Sequence, residues 1–325
     1  MKNFKIWILI SAVCLSTIGF AIASDLSIES DKQTFKMEEN KAKFDGNVKV
    51  KMDDIKATAP RAEVMIDPKT KQLTEAVMYD QPYVVQVKQA KTSEIKSNIL
   101  KMSLLNKRLK AEGNTQTTVT ETGSQKPTVI ITADQQEYDT NTKILTAKGS
   151  VIIYYKDVET FSDSAVAELN KAGDLQKITL TGNGKLKQKD SVITANKFIY
   201  DAVKETAYAL GSAHSDVDMD GTKINVWSDR QEYYKATNII QASGKVHVVY
   251  KDYDARGPKA TVYPSKETNK PNEIVFIGRS TIVEQMRSIE ADRIKMFLNP
   301  KNFFAEGNVK TVIRNVQDKQ KSSGF

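Results

Sequence analysis

A short pattern recurs along this chain with constant spacing, and it constrains the fold more than any other feature. Each copy has a small residue followed by Asp or Asn, a large apolar or aromatic residue four positions later, and a glycine fifteen positions after the Asp or Asn. Six copies keep this spacing: Asp31 to Gly46, Asn98 to Gly113, Asp134 to Gly149, Asn196 to Gly211, Asp229 to Gly244 and Asp292 to Gly307. Such repetition predicts stacked supersecondary units.

Three weaker copies lie between the regular ones, and each places an alanine sixteen residues after the preceding glycine: Ala62, Ala165 and Ala260. The units then group into three modules, because the chain passes through the same series of copies three times. We expect residues 24–124, 125–222 and 223–325 to be these modules, either as separate domains or as one continuous β-structure. A repeat architecture grows by adding units, so the chain length does not set the number of domains.

The residues after Gly46, Gly244 and Gly307 alternate in character, as Val48 and Val50 lie on one side and Lys49 on the other, whereas after Gly149 apolar residues occupy both sides. This alternation predicts half-buried strands. The glycines permit a positive φ, as a hairpin turn or a bulge requires. We expect hairpin turns at Gly182-Asn183-Gly184 and at Asp220-Gly221. Residues 163–171 also fit a helix, but they fall on a repeat unit, which favours a strand. The sequence therefore predicts an all-β fold of antiparallel sheets folded over each other.

The first residues resemble an export signal. Lys2 and Lys5 precede an uncharged apolar stretch that ends at Ala23, and the chain turns polar at Asp25. Residues 1–23 are therefore expected to be a signal peptide that directs the protein to the periplasm. The stretch is also just long enough for an uncleaved membrane anchor, so a membrane-anchored variant stays open. Cys14 is the only cysteine, so the exported part holds no disulfide.

The titratable groups argue against most enzymatic functions, whereas the net charge by itself decides nothing. The net charge of +8 favours anionic partners, although lysines also keep strand edges soluble. Export argues against nucleic acid as a partner. The chain has only two histidines, His214 and His247, and no ligand spacing for a transition metal. Alternate carboxylates from Asp216 resemble a calcium loop, but Trp227 stands where the bidentate Glu is needed. We expect no catalytic residue, no metal and no cofactor.

The repeat resembles a known family at one copy in particular, which reads Ala133-Asp134, Tyr138, Gly149 and Val151. This pattern is similar to the OstA/LptA repeat of lipopolysaccharide export proteins. The resemblance implies an elongated antiparallel β-jellyroll, or V-shaped β-sandwich, whose apolar interior holds the acyl chains of lipid A. It also implies end-to-end stacking between an inner-membrane ABC transporter complex and an outer-membrane translocon. Three modules exceed the usual length, so an LptC-like, membrane-anchored role is an alternative.

The candidate site follows from the resemblance and the alternation together. The residues expected to point into the groove and bind lipid are Val48, Val50, Val151, Ile153, Tyr155, Val246, Val248, Tyr250 and Val309. Lysines expected at its rim, facing lipid A phosphates, are Lys49, Lys156 and Lys251. The same inward residues would also fill an ordinary closed core, as in a structural β-repeat protein of the envelope. A carbohydrate-active solenoid is disfavoured, because the carboxylates fall mostly at turns.

Overall fold

The computed structural model describes residues 26–314, apart from positions 53, 89, 172, 190, 220, 221, 269 and 299. These residues form 22 strands and no helix, and the strand pairings within each unit described below are antiparallel. The prediction of an all-β antiparallel fold is confirmed. It includes the stretch from residue 163, which continues a strand as far as Leu169. The expected signal peptide and the Asp220-Gly221 turn lie outside the described residues.

The chain divides into two compact units, which we describe separately. Of the described residues, the N-terminal unit takes 26–189 and 197–205, and the C-terminal unit takes 191–196 and 206–314, so the two share strand β14 (Ser191–Asp201). The two units do not coincide with the three expected modules, whose boundaries stay a prediction.

The remaining strands of the N-terminal unit are β1 (Leu26–Glu29), β2 (Lys32–Lys36), β3 (Lys41–Met52), β4 (Ile55–Ile66), β5 (Leu73–Tyr79), β6 (Tyr83–Lys88), β7 (Lys91–Lys96), β8 (Ile99–Ser103), β9 (Arg108–Glu121), β10 (Val129–Asp139), β11 (Ile144–Tyr155), β12 (Val158–Leu169) and β13 (Leu175–Gln188). Those of the C-terminal unit are β15 (Thr206–Met219), β16 (Thr222–Tyr234), β17 (Ile239–Tyr250), β18 (Tyr253–Pro264), β19 (Pro271–Glu284), β20 (Arg287–Leu298), β21 (Lys301–Glu306) and β22 (Lys310–Ile313). Short strands come in pairs along one long neighbour: β1 and β2 both pair with β3, and β21 and β22 both pair with β20.

The repeat glycines lie at bulges inside the sheets, which we call corners. All six have φ between +74° and +77°, and the residue after each has φ between +46° and +49°. The Asp or Asn fifteen residues earlier lies directly against the glycine. At the first corner the Asp31 N–H donates to the Gly46 carbonyl at 2.9 Å, and Asn47 Nδ2 donates to Asp31 Oδ2 at 2.8 Å. The constant spacing of fifteen residues therefore reflects a contact between the Asp or Asn and the glycine, which lie on paired strand segments.

The hairpin turn predicted at Gly182-Asn183-Gly184 is wrong, because strand β13 runs through these residues without a break. Gly182 has φ +81° and Asn183 has φ +47°, and Asn183 Nδ2 donates to Asp163 Oδ2 at 3.1 Å. The register with β12 shifts here between Phe161 and Ser164. A bulge and a hairpin turn both require a positive φ, so the local sequence does not distinguish one from the other. The contact with Asp163 on the neighbouring strand identifies Gly182 as a corner.

Turns lie at two margins of each unit, with the corners between them. Two-residue turns such as Lys156-Asp157 and Lys251-Asp252 follow one margin, which we call the short-turn margin. Longer turns such as 140–143 and 235–238 follow the other, the long-turn margin. Because successive long strands are antiparallel, each one crosses from one margin through a corner to the other margin.

Each long strand bends at its corner, so that both of its halves face one apolar interior. In the N-terminal unit Ala42 and Val48, on either side of Gly46, belong to one buried cluster. In the C-terminal unit Ala242 and Val246, on either side of Gly244, do the same. Bulged strands bend in this way because the extra residue breaks the regular pleat. The result is a β-jellyroll with its hydrophobic core between the two halves.

Candidate lipid-binding interior

Most residues expected to point inward do so. Those with at most 7% of their surface exposed are Val48, Val151, Ile153, Tyr155, Val246, Val248 and Tyr250. Val50 is half-buried and packs against the core cluster of the N-terminal unit. These placements fit both a closed core and a lipid groove, so lipid binding at these residues stays a prediction.

Val309 departs from this pattern. It follows the Gly307 corner as Val151 follows Gly149, yet it is 50% exposed. The strand after this corner, β22, pairs only with β20 among the described residues, and all four of its residues are exposed. The inward position expected for Val309 is therefore wrong in this structure, because no described strand packs over it.

An apolar cavity lies inside the C-terminal unit. The space open to the centre of a water-sized sphere is about 60 Å³, and the cavity is partly open to solvent. Its lining consists of Ser215, Val217, Ile224, Val226, Gln231, Ile240, Ala242, Val248, Ala260, Val262, Pro271, Ile274 and Leu298. Ligand sites in proteins are commonly concave, mostly apolar and equipped with a few polar groups, as this cavity is.

The cavity lies between the two halves of the bent strands. Ile240 and Val248 belong to the same strand and would lie roughly 26 Å apart if it were fully extended, yet both line the cavity. The bend at Gly244 brings them together. Sequence reasoning selected only residues after the glycine and so missed those before it. The repeated alanine two residues before the glycine, here Ala242, was the available signal.

The expected rim lysines are exposed at or near the short-turn margin. Lys156 Nζ lies 5.2 Å from the centre of the Tyr155 ring, and Lys251 Nζ lies 5.3 Å from that of Tyr250. Neither forms an ion pair with a carboxylate in the described part of the chain. Lys49 is also exposed, on β3. Each turn lysine thus holds a free positive charge beside a tyrosine of the interior.

The two histidines lie on the opposite, outward face, where they stack on Trp227. The ring centres of His214 and Trp227 are 4.6 Å apart, and those of Trp227 and His247 are 4.9 Å apart. His247 Nε2 lies 2.9 Å from Asp254 Oδ2. Burial raises the pKa of Asp254, but hydrogen bonds from Arg256 and His247 outweigh it and hold that pKa below its usual range. This cross-strand stack packs the outer face, and sequence reasoning did not foresee it.

The carboxylates considered for calcium belong to a strand. Asp216 and Asp218 lie on β15, opposite Asn225 and Lys223, and Lys223 Nζ donates to Asp216 Oδ2 at 3.1 Å. The described residues contain no cluster of three or more potential metal ligands. Among the same residues, no helix has the length and apolar character needed to cross a membrane.

Comparison with known proteins places these features in a family context. The family model described as LptA/(LptD N-terminal domain) LPS transport protein matches residues 27–127 and 176–268, which together exceed half of the chain. Among solved structures, LptH of Pseudomonas aeruginosa, described as the LptA-homologous periplasmic component of a lipopolysaccharide transport device, is 15% identical. That match covers 39% of this chain and 83% of LptH, with a TM-score of 0.33. No curated protein sequence gives a significant match.

Proposed function

Because the chain belongs to the LptA/LptD N-terminal domain family of lipopolysaccharide transport proteins, we propose that its apolar interior shields lipid A acyl chains on the way between the two membranes. The cavity between the strand halves carries this proposal, since it offers apolar space that an acyl chain can fill. Each methylene that leaves water for such a space contributes about 0.8 kcal/mol. The binding is passive, so the energy for directed transport comes from a partner.

Acyl chains enter when the two halves of a unit part. Successive long strands from β10 to β13 and from β15 to β20, like β3 and β4, pair only between segments on the same side of the corner. None of these pairings joins one margin to the other. Parting the two margins therefore breaks none of these pairings, and the lost apolar contacts are replaced by contacts with the acyl chain.

The rim lysines bind the phosphates of the lipid headgroup in this proposal. We expect purified lipopolysaccharide to bind the protein at saturation, and the Lys156→Ala/Lys251→Ala variant to bind about threefold to tenfold more weakly at low salt, because exposed charge pairs contribute up to about 1 kcal/mol each. The variant should also show a smaller salt dependence of Kd.

Lys148→Ala/Lys259→Ala is the matched control, since these lysines are exposed beside corners and away from both margins. Fluorescence titration with lipopolysaccharide at two salt concentrations measures all three proteins. An equal loss of affinity in both variants would contradict a role for the margin, and no binding at all would contradict the proposed function.

We further propose that the terminal strands join neighbouring jellyrolls, either other copies of this chain or partners at the two membranes. Phe35 on β2 is 61% exposed, whereas Tyr138 at the equivalent repeat position is 5% exposed. Val309 at the other end is exposed where its equivalent Val151 is buried. An added strand would cover both and pair the backbone groups of β2 and β22 that no described strand pairs.

Sedimentation velocity tests this association. The wild-type protein is expected to form larger species as its concentration rises, and Val309→Lys should reduce them, because a charge at an edge opposes strand addition. Val203→Lys is the control, since Val203 is 75% exposed in a turn. Concentration-independent monomers of the wild type would contradict self-association.

The proposed location is the periplasm, with the inner-membrane ABC transporter complex and the outer-membrane translocon as partners. The family supports this placement, and the expected signal peptide of residues 1–23 supports export. If that segment stays attached, the chain takes the LptC-like, membrane-anchored role instead. The burial of the inward residues favours one further candidate, a closed-core structural repeat protein, which would bind no lipid.

A further inference from the structure

One polar pair interrupts the otherwise apolar wall of the cavity. Ser215 on β15 and Gln231 on β16 both line the cavity and are only 5% and 2% exposed. Ser215 lies four residues past the Gly211 corner, and Gln231 lies two residues past Asp229, the residue that contacts the Gly244 corner. Burying a polar side chain in an apolar space costs free energy unless its hydrogen bonds are satisfied. The hydrogen bonds that this pair already makes therefore determine which of its atoms remain available to a ligand.

Backbone carbonyls fix the orientation of the Gln231 amide. Its Nε2 donates to the Val226 carbonyl at 3.1 Å and to the Ala213 carbonyl at 3.4 Å. A carbonyl oxygen only accepts, so the NH2 group must face these two atoms and Oε1 must face Ser215. Since Oε1 also only accepts, the Ser215 hydroxyl donates its proton to it. Every hydrogen of the pair is therefore in use, and only oxygen lone pairs remain.

The same arrangement recurs at the equivalent repeat position of the N-terminal unit. Thr117 Oγ1 donates to Gln136 Oε1 at 2.7 Å, and Gln136 Nε2 donates to the Ile131 carbonyl at 3.2 Å and to Thr115 Oγ1 at 2.9 Å. Both glutamines follow the repeat Asp by two residues. A hydroxyl and an amide oxygen thus form an acceptor-only spot in the interior of each unit.

We propose that the Ser215–Gln231 pair is a specificity determinant that recognises a hydroxyl group carried on the acyl chain of the cargo. This assignment rests on the proposed function, because it requires an acyl chain in the cavity. The chain hydroxyl donates its proton to a free lone pair of Ser215 Oγ or Gln231 Oε1. A methylene group at this place makes no such bond. An ether oxygen has no proton to donate, so it would only place a second acceptor beside the oxygens of the pair.

Fatty acids test this without any substitution. The full chain is titrated with tetradecanoic acid, with a positional set of hydroxytetradecanoic acids and with the matching methoxy acids. The wild-type protein is expected to bind at least one hydroxy acid about threefold to tenfold more tightly than the plain acid, the usual effect of one net hydrogen bond. The matching methoxy acid should lose this advantage because it has no proton to donate.

Variants then assign the effect to the pair. Ser215→Thr keeps the hydroxyl, as Thr117 does in the N-terminal unit, and should keep the preference. Ser215→Val/Gln231→Met removes both oxygens from the cavity and should lower the preference for the hydroxy acid to what the Thr117–Gln136 spot alone provides. Equal affinities in the wild type, or an unchanged preference in the double variant, would overturn this inference alone. Failure of every fatty acid to bind would overturn it together with the proposed function.

Discussion

Replacing Gly149 by alanine is expected to lower the free energy of unfolding by about 3 kcal/mol, from left-handed backbone strain and overpacking together. Gly149 has φ +77°, and a Cβ built there would lie 2.0 Å from Asp134 Oδ2. Both the carboxylate and the strand that carries it would have to move. Urea unfolding followed by far-ultraviolet circular dichroism measures the loss.

Gly123 supplies the matched control, because its φ is +84° and a Cβ there would meet nothing within 4 Å. Gly123→Ala should therefore lower the free energy of unfolding by the backbone strain alone, about 1 kcal/mol. If the two substitutions cost the same, close contact between the corner glycine and the facing Asp contributes nothing to stability. The physical meaning given to the repeat spacing would then be wrong.

Filling the cavity is expected to separate lipid binding from stability. Ala242→Leu places a larger apolar side chain into the space between the strand halves, where Ala242 is part of the lining. We expect lipopolysaccharide affinity to fall about tenfold, because the side chain displaces roughly two methylene groups of the ligand at about 0.8 kcal/mol each. Stability should hold or rise, since the added carbons fill existing space.

Ala236→Leu is the control for this experiment, because Ala236 lies exposed in the turn between β16 and β17. It should leave the Kd for lipopolysaccharide unchanged. Titration and urea unfolding are carried out on both variants and the wild type. A filled cavity that binds lipopolysaccharide as tightly as the wild type would show that the cargo does not occupy this space.

The sequence predicts the strand architecture well, because the repeat and the alternation after several of its glycines are local signals. Val151 and Val246 are buried as expected. The corner at Gly182 was misjudged because its identity depends on Asp163, a residue of the neighbouring strand. Val309 was misjudged for a related reason: its exposure depends on which strands lie beside it, and alternation within its own strand carries no such information.

The candidate site is less accessible to sequence reasoning than the fold. A cavity is the space that side chains of several strands leave unfilled, so its volume is not a property of any one segment. The role of Ser215 and Gln231 likewise depends on a register that brings two strands together, and the stack on Trp227 depends on three. The repeated alanine before each glycine was visible in the sequence, but its place in the lining needed the bend at the corner.

Photo-crosslinking in cells tests whether acyl chains occupy the interior, through two adjacent tyrosines on opposite faces of β11. Tyr155 is 5% exposed and faces the interior, whereas Tyr154 is 41% exposed on the outer face. Each is replaced in turn by p-benzoylphenylalanine, which keeps the aromatic ring. We expect a lipopolysaccharide adduct from position 155 and none from position 154. Adducts of equal yield, or none from position 155 in stably folded protein, would contradict transport of acyl chains through the interior.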